Sequence, residues 1–379
     1  MTSITAELAI IGGGGAGCAT ALHAARRGIK VVLLERGLVG SQASGVNYGG
    51  VRQQGRHPAE LPIAARAREM WGRLPEIAGT DSEFDVSGHL KLARSKADEA
   101  ELVAYAEVAK HHGLPLELIG RNAIRERYPF LSDQAVAGSL ASDDGAANPR
   151  LFSPAIARAA RAAGADVREH ADVVGMMRDG EKFHLRLSDG TEIVSDRLAN
   201  TAGYWGGKVA EKFGEAVPID VLAPNMCVTE PLPYFLKPNL GVVGGSCYAR
   251  QIARGNVIFG GGRGVADAET LRARPLPAPT LQAMREIVAL IPRLAEAQVI
   301  RSWTGMDGEM PDEIPVIGPS RTTPGLVHAF GFSGHGFQLG LAIGAIVTEL
   351  ALDGTTPTPI GAFDIARFGA RFREGEEPR

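Results

Sequence analysis

Cysteine is scarce in this sequence: Cys18, Cys227 and Cys247 are the only three in 379 residues. The count is odd and no two are spaced as Cys-x-x-Cys, so neither a disulfide framework nor a zinc site is indicated, and a reducing cytoplasm fits. A basic patch is also lacking. Forty Lys and Arg stand against 43 Asp and Glu, for a net charge of -3 spread along the chain, which argues against nucleic acid as a partner. The N-terminus has no basic region followed by a long apolar stretch, so no signal peptide is expected. The longest apolar run near the C-terminus, Leu339 to Leu352, is broken by Thr348 and Glu349 and reads as too short to span a bilayer. What is plentiful is glycine, with 48 residues. In a chain of otherwise ordinary composition, that points to backbone packed against a ligand.

The length calls for roughly two domains. Glu7 to Ile11 reads as a short buried strand, Ala16 to Arg27 as a helix closed by Gly28, and Ile29 to Glu35 as a second buried strand. Together they make a βαβ unit. Ser41 to Gln54 reads as irregular, Lys96 to His112 as a helix, and Ser153 to Ala163 as a helix with Ser153 and Pro154 in its first turn. Phe183 to Leu187, the Asp189-Gly190 turn and Glu192 to Val194 form a hairpin. Val242 to Gly262 reads as strands, Leu281 to Ile291 as a helix ending at Pro292, and Phe337 to Leu352 as the last strong helix. The tail from Arg373 to Arg379 reads as disordered.

The turn after the first strand, Gly12-Gly13-Gly14-Gly15-Ala16-Gly17, satisfies Gly-x-Gly-x-x-Gly. Gly12 makes the turn, Gly14 lets backbone approach a pyrophosphate, and Gly17 lets helix and strand pack closely. The N–H groups of Gly15 and Ala16 open the helix and carry its positive end toward the phosphates. Glu35 ends the second strand, where a carboxylate accepts hydrogen bonds from a ribose diol. This context makes a dinucleotide site, and the motif by itself leaves NAD and FAD both open.

Gly331-Phe332-Ser333-Gly334-His335-Gly336-Phe337-Gln338, opening the last helix, resembles the flavin-binding end of the D-amino-acid oxidase-like superfamily. Three further segments match in the expected order. They are Ala43-Ser44-Gly45 with Arg52 downstream, Asn200 to Trp205, and Trp303-Thr304-Gly305 running to Pro311-Asp312 and Ile317-Gly318. The resemblance covers nearly the whole chain. It implies an α/β (α+β) fold with a Rossmann-like FAD domain from residues 1–85, 144–216 and 309–379. A second, mostly antiparallel-sheet substrate domain would come from 86–143 and 217–308. FAD contacts are expected from Arg36, Ser44, Gly50, Val51, Val173, Ala202, Gly203, Trp205 and Gly308. More are expected from Gly334, His335, Gly336, Phe337 and Gln338, where a helix N-terminus would face the charge that gathers on a reduced flavin.

Arg52 aligns with the arginine that holds the substrate carboxylate in sarcosine oxidase, a task suited to a planar fork of donors. Tyr248 aligns with the substrate tyrosine of glycine oxidase, and Arg250 follows two residues later on the same strand face. His335 and Gln338 complete the expected catalytic group. Departures are informative. Glycine oxidase carries an arginine where this chain has Asp307, and sarcosine oxidase has a lysine where this chain has Gln338. The run from Trp303 to Gly318 is similar to the flavin subunits of opine oxidase and hydrogen cyanide synthase. The covalent tethers of relatives fall near Gly305 and Pro149, so FAD is expected to be non-covalent. The lysine that promotes oxygen reactivity in sarcosine oxidase aligns with Ile258, and no lysine follows Lys237, which favours a dehydrogenase over an oxidase.

The resemblance implies hydride removal from the carbon beside the nitrogen of an amino acid or N-substituted amino acid, with an imine product that hydrolyses. A neutral amine needs no general base for this, only alignment. A rival reading is a flavin-bearing subunit of an electron-transfer complex with little activity alone. An aromatic hydroxylase would need a Gly-Asp-Ala segment near residue 300, and none occurs. The motifs leave open sarcosine, D-amino acids, proline derivatives and opines as substrates, and oxygen, quinone or a partner subunit as electron acceptor.

Overall fold

The computed structural model describes residues 3–369, and the tail read from sequence as disordered lies outside them. β1 (Ser3–Ile11) runs parallel to β2 (Val31–Leu34) on one side and to the strand Glu192–Asn200 on the other. Flanked on both sides and covered on both faces, its second half is buried from Leu8 to Ile11, which is why it reads as a continuous apolar run. α1 (Gly15–Arg26) joins β1 to β2, and nearly all of it is buried. It is wedged between the sheet, the helix Pro149–Ala162 and the helix Gly336–Asp353. The first sheet is completed by Asp166–Arg168, Leu326–Phe330 and Val316–Pro319. The hairpin of Val173–Asp179 and Lys182–Leu187 adds to Glu192–Asn200. The Asp189-Gly190 turn stands as read, with Gly190 at a φ of 85°.

A second eight-stranded sheet runs in the order Val299–Thr304, Pro224–Pro231, Asn256–Arg263, Tyr248–Gln251, Asn239–Val242, His89–Ala93, Ala137–Ala141 and Glu117–Gly120. All its pairings are antiparallel except Asn239–Val242 with His89–Ala93. The folding pattern is therefore mixed α/β. Its inner face packs under the helix Pro277–Leu290, around Phe259, Ile287 and Leu290.

Three readings need correction. The helix expected from Ser153 starts at Pro149: the Asn148 side chain accepts from the Arg150 N–H at 3.1 Å and Pro149 takes the first helical position. Asn-Pro was the better start signal, and Pro154 lies inside the helix. The segment from Ser41 to Gln54 is not wholly irregular, since Ala43–Val46 is a turn of helix and Gly50–Val51 pairs with Gly145–Ala146. The last helix, Gly336–Asp353, has 18 residues and enough hydropathy to cross a membrane by length and composition alone. It is the one such helix among the described residues, and 72% of it is buried inside the protein. A Cβ on Gly344 would strike Ala19, and one on Gly340 would meet the Gly15 backbone at 3.4 Å. Its apolar character is thus spent on α1.

Candidate active site

A cavity of about 960 Å³ runs from the glycine turn to the second sheet. At the turn, Gly12 sits at a φ of 107°, and a Cβ there would lie 2.5 Å from the Thr201 carbonyl. Gly13 N–H donates to Glu35 Oε2 and Gly37 N–H to Oε1, each at 2.8 Å. The carboxylate is thereby fixed at the cavity wall with lone pairs to spare for a diol. Gly12, Gly14, Gly15 and Ala16 line the cavity. Gly17 does not; its Cα faces the Gly12 carbonyl, so its glycine serves close packing. Ser44, on the short helix, accepts from the Gly15 N–H at 2.9 Å.

Farther along this end, the Arg36 guanidinium lies 3.8 Å over the Trp205 ring, with one Nη2 buried and without a hydrogen-bond partner among the described residues. Burial pulls its pKa down. A stacked cation with a free donor fits a planar, acceptor-rich base beside it. Val173, Ala202 and Gly203 also line the cavity, as does Gly50, beside Tyr48. Val51 and Gly308 do not: Val51 is fully buried, and a Cβ on Gly308 would meet Ile219 at 2.8 Å and Tyr204 at 3.1 Å. These residues fit FAD: the glycines would admit its pyrophosphate, Glu35 would accept from a ribose, and the unpartnered Arg36 nitrogen would donate to the base.

At the other end, Gly334, His335, Gly336, Phe337 and Gln338 line the cavity, and the helix they open directs its positive end inward. Asp307 also lines it, accepting from the N–H groups of Gly308 and Gly334 at 2.8 and 2.9 Å. Burial pushes the Asp307 carboxyl upward. Phe337 packs against Trp71 and Phe152, and the Trp71 indole N–H donates to the Gln338 carbonyl. The helix start is held firmly.

Beyond it lies a cluster that the sequence reading found only in part. Arg52 and Tyr248 line the cavity as expected. Arg52 donates to the Gln54 carbonyl at 2.6 Å, and its charge acts on the buried Asp144, which the backbone N–H groups of Gln53 and Gln54 hold. Arg56 was missed. It is 3% exposed, donates through Nε to the Arg52 carbonyl at 3.2 Å, and has Nη2 3.5 Å from Gln338 Oε1. Its Nη1 is buried and unpartnered. Burial and the adjacent Arg52 charge pull its pKa down to about 9. The spacing Arg52-x-x-x-Arg56 was the only available signal. Tyr48 was missed too; its ring meets Tyr248 edge-on at 4.8 Å and its hydroxyl is unpartnered. Arg250 does not reach the cavity. It lies 5.4 Å from the Tyr48 ring centre, behind that ring and against Gly49. Alternation along the strand was read correctly, but the loop carrying Tyr48 intervenes.

His335 is held by Glu60, also unforeseen, at 2.9 Å from Nδ1 to Oε2. Burial and the positive charge of Arg56 pull His335 down to about 4. Burial raises Glu60, but the hydrogen bond and charge of His335 and the Arg56 charge outweigh it and hold that carboxyl low. Glu60 is therefore ionised and fixes a proton on Nδ1 of a neutral imidazole, leaving Nε2 bare. Ile258 does not line the cavity, whereas Lys91 and Lys208 do. Counting lysines after residue 237 overlooked a cation brought in from earlier in the chain.

A parallel-stranded βαβ unit whose glycine turn opens onto a cavity closed by a second sheet is the architecture of a nucleotide-cofactor oxidoreductase. The model of the DAO family, the FAD-dependent oxidoreductases, matches residues 7–350, and the chain belongs to that family; its cofactor is FAD. It is 28% identical over 375 residues to the sarcosine oxidase subunit beta of Rhizobium meliloti, covering 97% of this chain and 89% of that protein. It is 24% identical to the glycine oxidase of Geobacillus kaustophilus, covering 96% of each. Among solved structures, the L-proline dehydrogenase of P. horikoshii superposes with a TM-score of 0.90 at 26% identity, covering 99% of this chain and all of that one.

Proposed function

We propose that this enzyme oxidises the C–N bond of an amino acid or N-substituted amino acid. The observation that carries this is the Arg52–Arg56 pair at the cavity: two adjacent guanidiniums, one of them buried with an unpartnered nitrogen, neither in ion-pair contact with a carboxylate among the described residues, with Glu60 and Asp144 acting on them from farther off. Like charges packed together call for an anion, and a substrate carboxylate supplies it in bidentate geometry. Sarcosine, glycine and L-proline, named for the three relatives, all bear a carboxylate on the carbon chain beside an amine. FAD, when bound, accepts the hydride from the α-carbon. The residues of this chain do the rest. Arg52 and Arg56 hold the carboxylate, Tyr48 and Tyr248 wall the side chain, and the neutral imidazole of His335 adds no positive charge there, so the site takes the amine in its neutral form. The neutral amine then loses hydride, and the resulting imine is hydrolysed by water. Tyr248 and Gln338 orient rather than neutralise.

FAD is held without a covalent bond. Neither Gly305 nor Pro149 can tether it. Cys247 lines the cavity, but burial pushes its thiol up to about 11, so it is not a thiolate at neutral pH. Acid precipitation should release all the flavin; flavin on the pellet would refute this. The division into an FAD domain (1–85, 144–216, 309–379) and a substrate domain (86–143, 217–308) belongs to the same reading. Three buried, unpaired cysteines support a reducing compartment such as the cytoplasm.

The test is an anaerobic screen of amino acids and N-alkyl amino acids, following flavin bleaching. Bleaching by none of them would sink the proposal. A second reading, a flavin subunit that needs partners, is favoured by the resemblance to a beta subunit. Turnover of the isolated chain with an artificial dye would exclude it. We assign the electron acceptor as a quinone or dye-like partner rather than oxygen, and reoxidation by air as fast as by the best dye would overturn that.

A further inference from the structure

Cationic side chains form a row that extends past what one carboxylate requires. At the inner end, Arg56 reaches toward Gln338. Arg52 comes next, with Nη1 3.1 Å from the position a Cβ on Gly55 would take. Lys91 Nζ lies 3.8 Å from the same point, so the heads of Arg52 and Lys91 are neighbours around Gly55. Both line the cavity, as do Gly55 and Glu101. Lys91 is at the outer end: its side chain is 22% exposed, and its only ion-pair partner among the described residues is Glu101 at 3.8 Å, itself 59% exposed. That pair is long and wet, so it leaves most of the Lys91 charge unmatched.

A single carboxylate accepts one guanidinium fork, or shares two. Buried Glu60 and Asp144 act on Arg56 and Arg52 and offset part of their charge, whereas the carboxylate acting on Lys91 is the exposed Glu101 alone, so this third cation, spaced outward from the other two, is the one left for a second anion. We propose that the site selects amino acids bearing a second carboxylate, carried on the nitrogen substituent or side chain, which Lys91 binds at the mouth of the cavity. This rests on the amine-oxidising reading above and narrows its substrate class. Glu101 opposes the second anion and would turn toward water when it binds. Lys91 and Glu101 come from a strand and a helix that the family motifs do not include, so no motif announces the subsite.

The test uses two inert sulfur analogues on the FAD-loaded protein: (methylthio)acetate with one carboxylate and thiodiacetate with two. Binding is read by calorimetry and by the shift of the flavin spectrum. Thiodiacetate should bind at least tenfold more tightly. That preference should fall about tenfold or more in Lys91→Gln, survive in Lys91→Arg, and increase in Glu101→Gln. The salt dependence should be steeper for thiodiacetate. Equal binding of the two analogues overturns the proposal, as does a preference indifferent to Lys91→Gln. If Lys91→Gln does not fold, an unchanged preference in Glu101→Gln overturns it instead. Binding of neither analogue would refute the carboxylate role of Arg52 and Arg56, a failure of the underlying reading that this experiment separates from failure of the subsite.

Discussion

The two ends of the cavity are built from different materials. At the nucleotide end the working groups are mostly backbone: the N–H groups of the glycine turn and a carboxylate pinned by Gly13 and Gly37. At the other end they are side chains, Arg52, Arg56, Lys91, Tyr48, Tyr248 and His335, drawn from four separated stretches of chain. A backbone site tolerates no intruding Cβ but is indifferent to most neighbouring side chains. A side-chain site folds with many substitutions and loses its chemistry with one.

The largest expected effect tests the first half of that contrast. Gly17→Ala places a Cβ into the Gly12 carbonyl with the Thr201 hydroxyl beside it, where neither backbone segment can yield. Overpacking of this kind costs about 3 kcal/mol or more. Flavin content and the urea midpoint should both collapse; a variant that keeps both would show that the turn is not tightly packed. The second effect tests the other half. Arg56→Met and Arg52→Ala should each raise KM for a carboxylated substrate by the roughly 1.5–3 kcal/mol of a charged hydrogen bond, while flavin content stays near wild type. Loss of flavin instead would erase the distinction between the two ends.

A third test concerns acid. His335 is pulled from its ordinary 6.5 to about 4, so between those pH values the unfolded chain binds a proton that the folded chain does not. Stability therefore falls as pH drops from about 6.5 to 4. The depressed Glu60 carboxyl acts in the same direction, its contribution being lost as pH falls through its folded pKa. Thermal melts at pH 7 and pH 4.5 should differ, and His335→Gln should flatten the difference. An identical slope in that variant would remove His335 from the account. The smallest effect belongs to Tyr248→Phe, which loses one hydrogen bond, 3.3 Å long, to the Asn225 carbonyl. Melting should shift by no more than about 1 kcal/mol, and a much larger loss would mean that the hydroxyl does more than close the wall.

The βαβ unit, the hairpin at Asp189-Gly190 and the last helix were legible because each is encoded locally, by periodicity, turn chemistry and glycine spacing. So was the nucleotide end, since a backbone site is written in consecutive glycines. Arg52 and Tyr248 came from resemblance and do line the cavity. Arg250 followed from strand alternation, which gives a face but not what loop covers it; here Tyr48 does. Helix Pro149–Ala162 carries two start signals, Asn148-Pro149 and Ser153-Pro154, and only the fold shows that the first caps it while Pro154 lies inside.

By itself the sequence determined the nucleotide turn, the run of buried parallel strands and the helix that meets the flavin end, because these depend on residues adjacent along the chain. Only the tertiary structure decided that Arg56 stands beside Arg52 with one nitrogen unpartnered, that Glu60 fixes the proton of His335 from 275 residues away, and that Lys91 joins the row. Each is a charge whose partner or lack of one depends on distance in space. In a buried site of low dielectric that distance decides whether a charge is satisfied within the protein or left for a ligand.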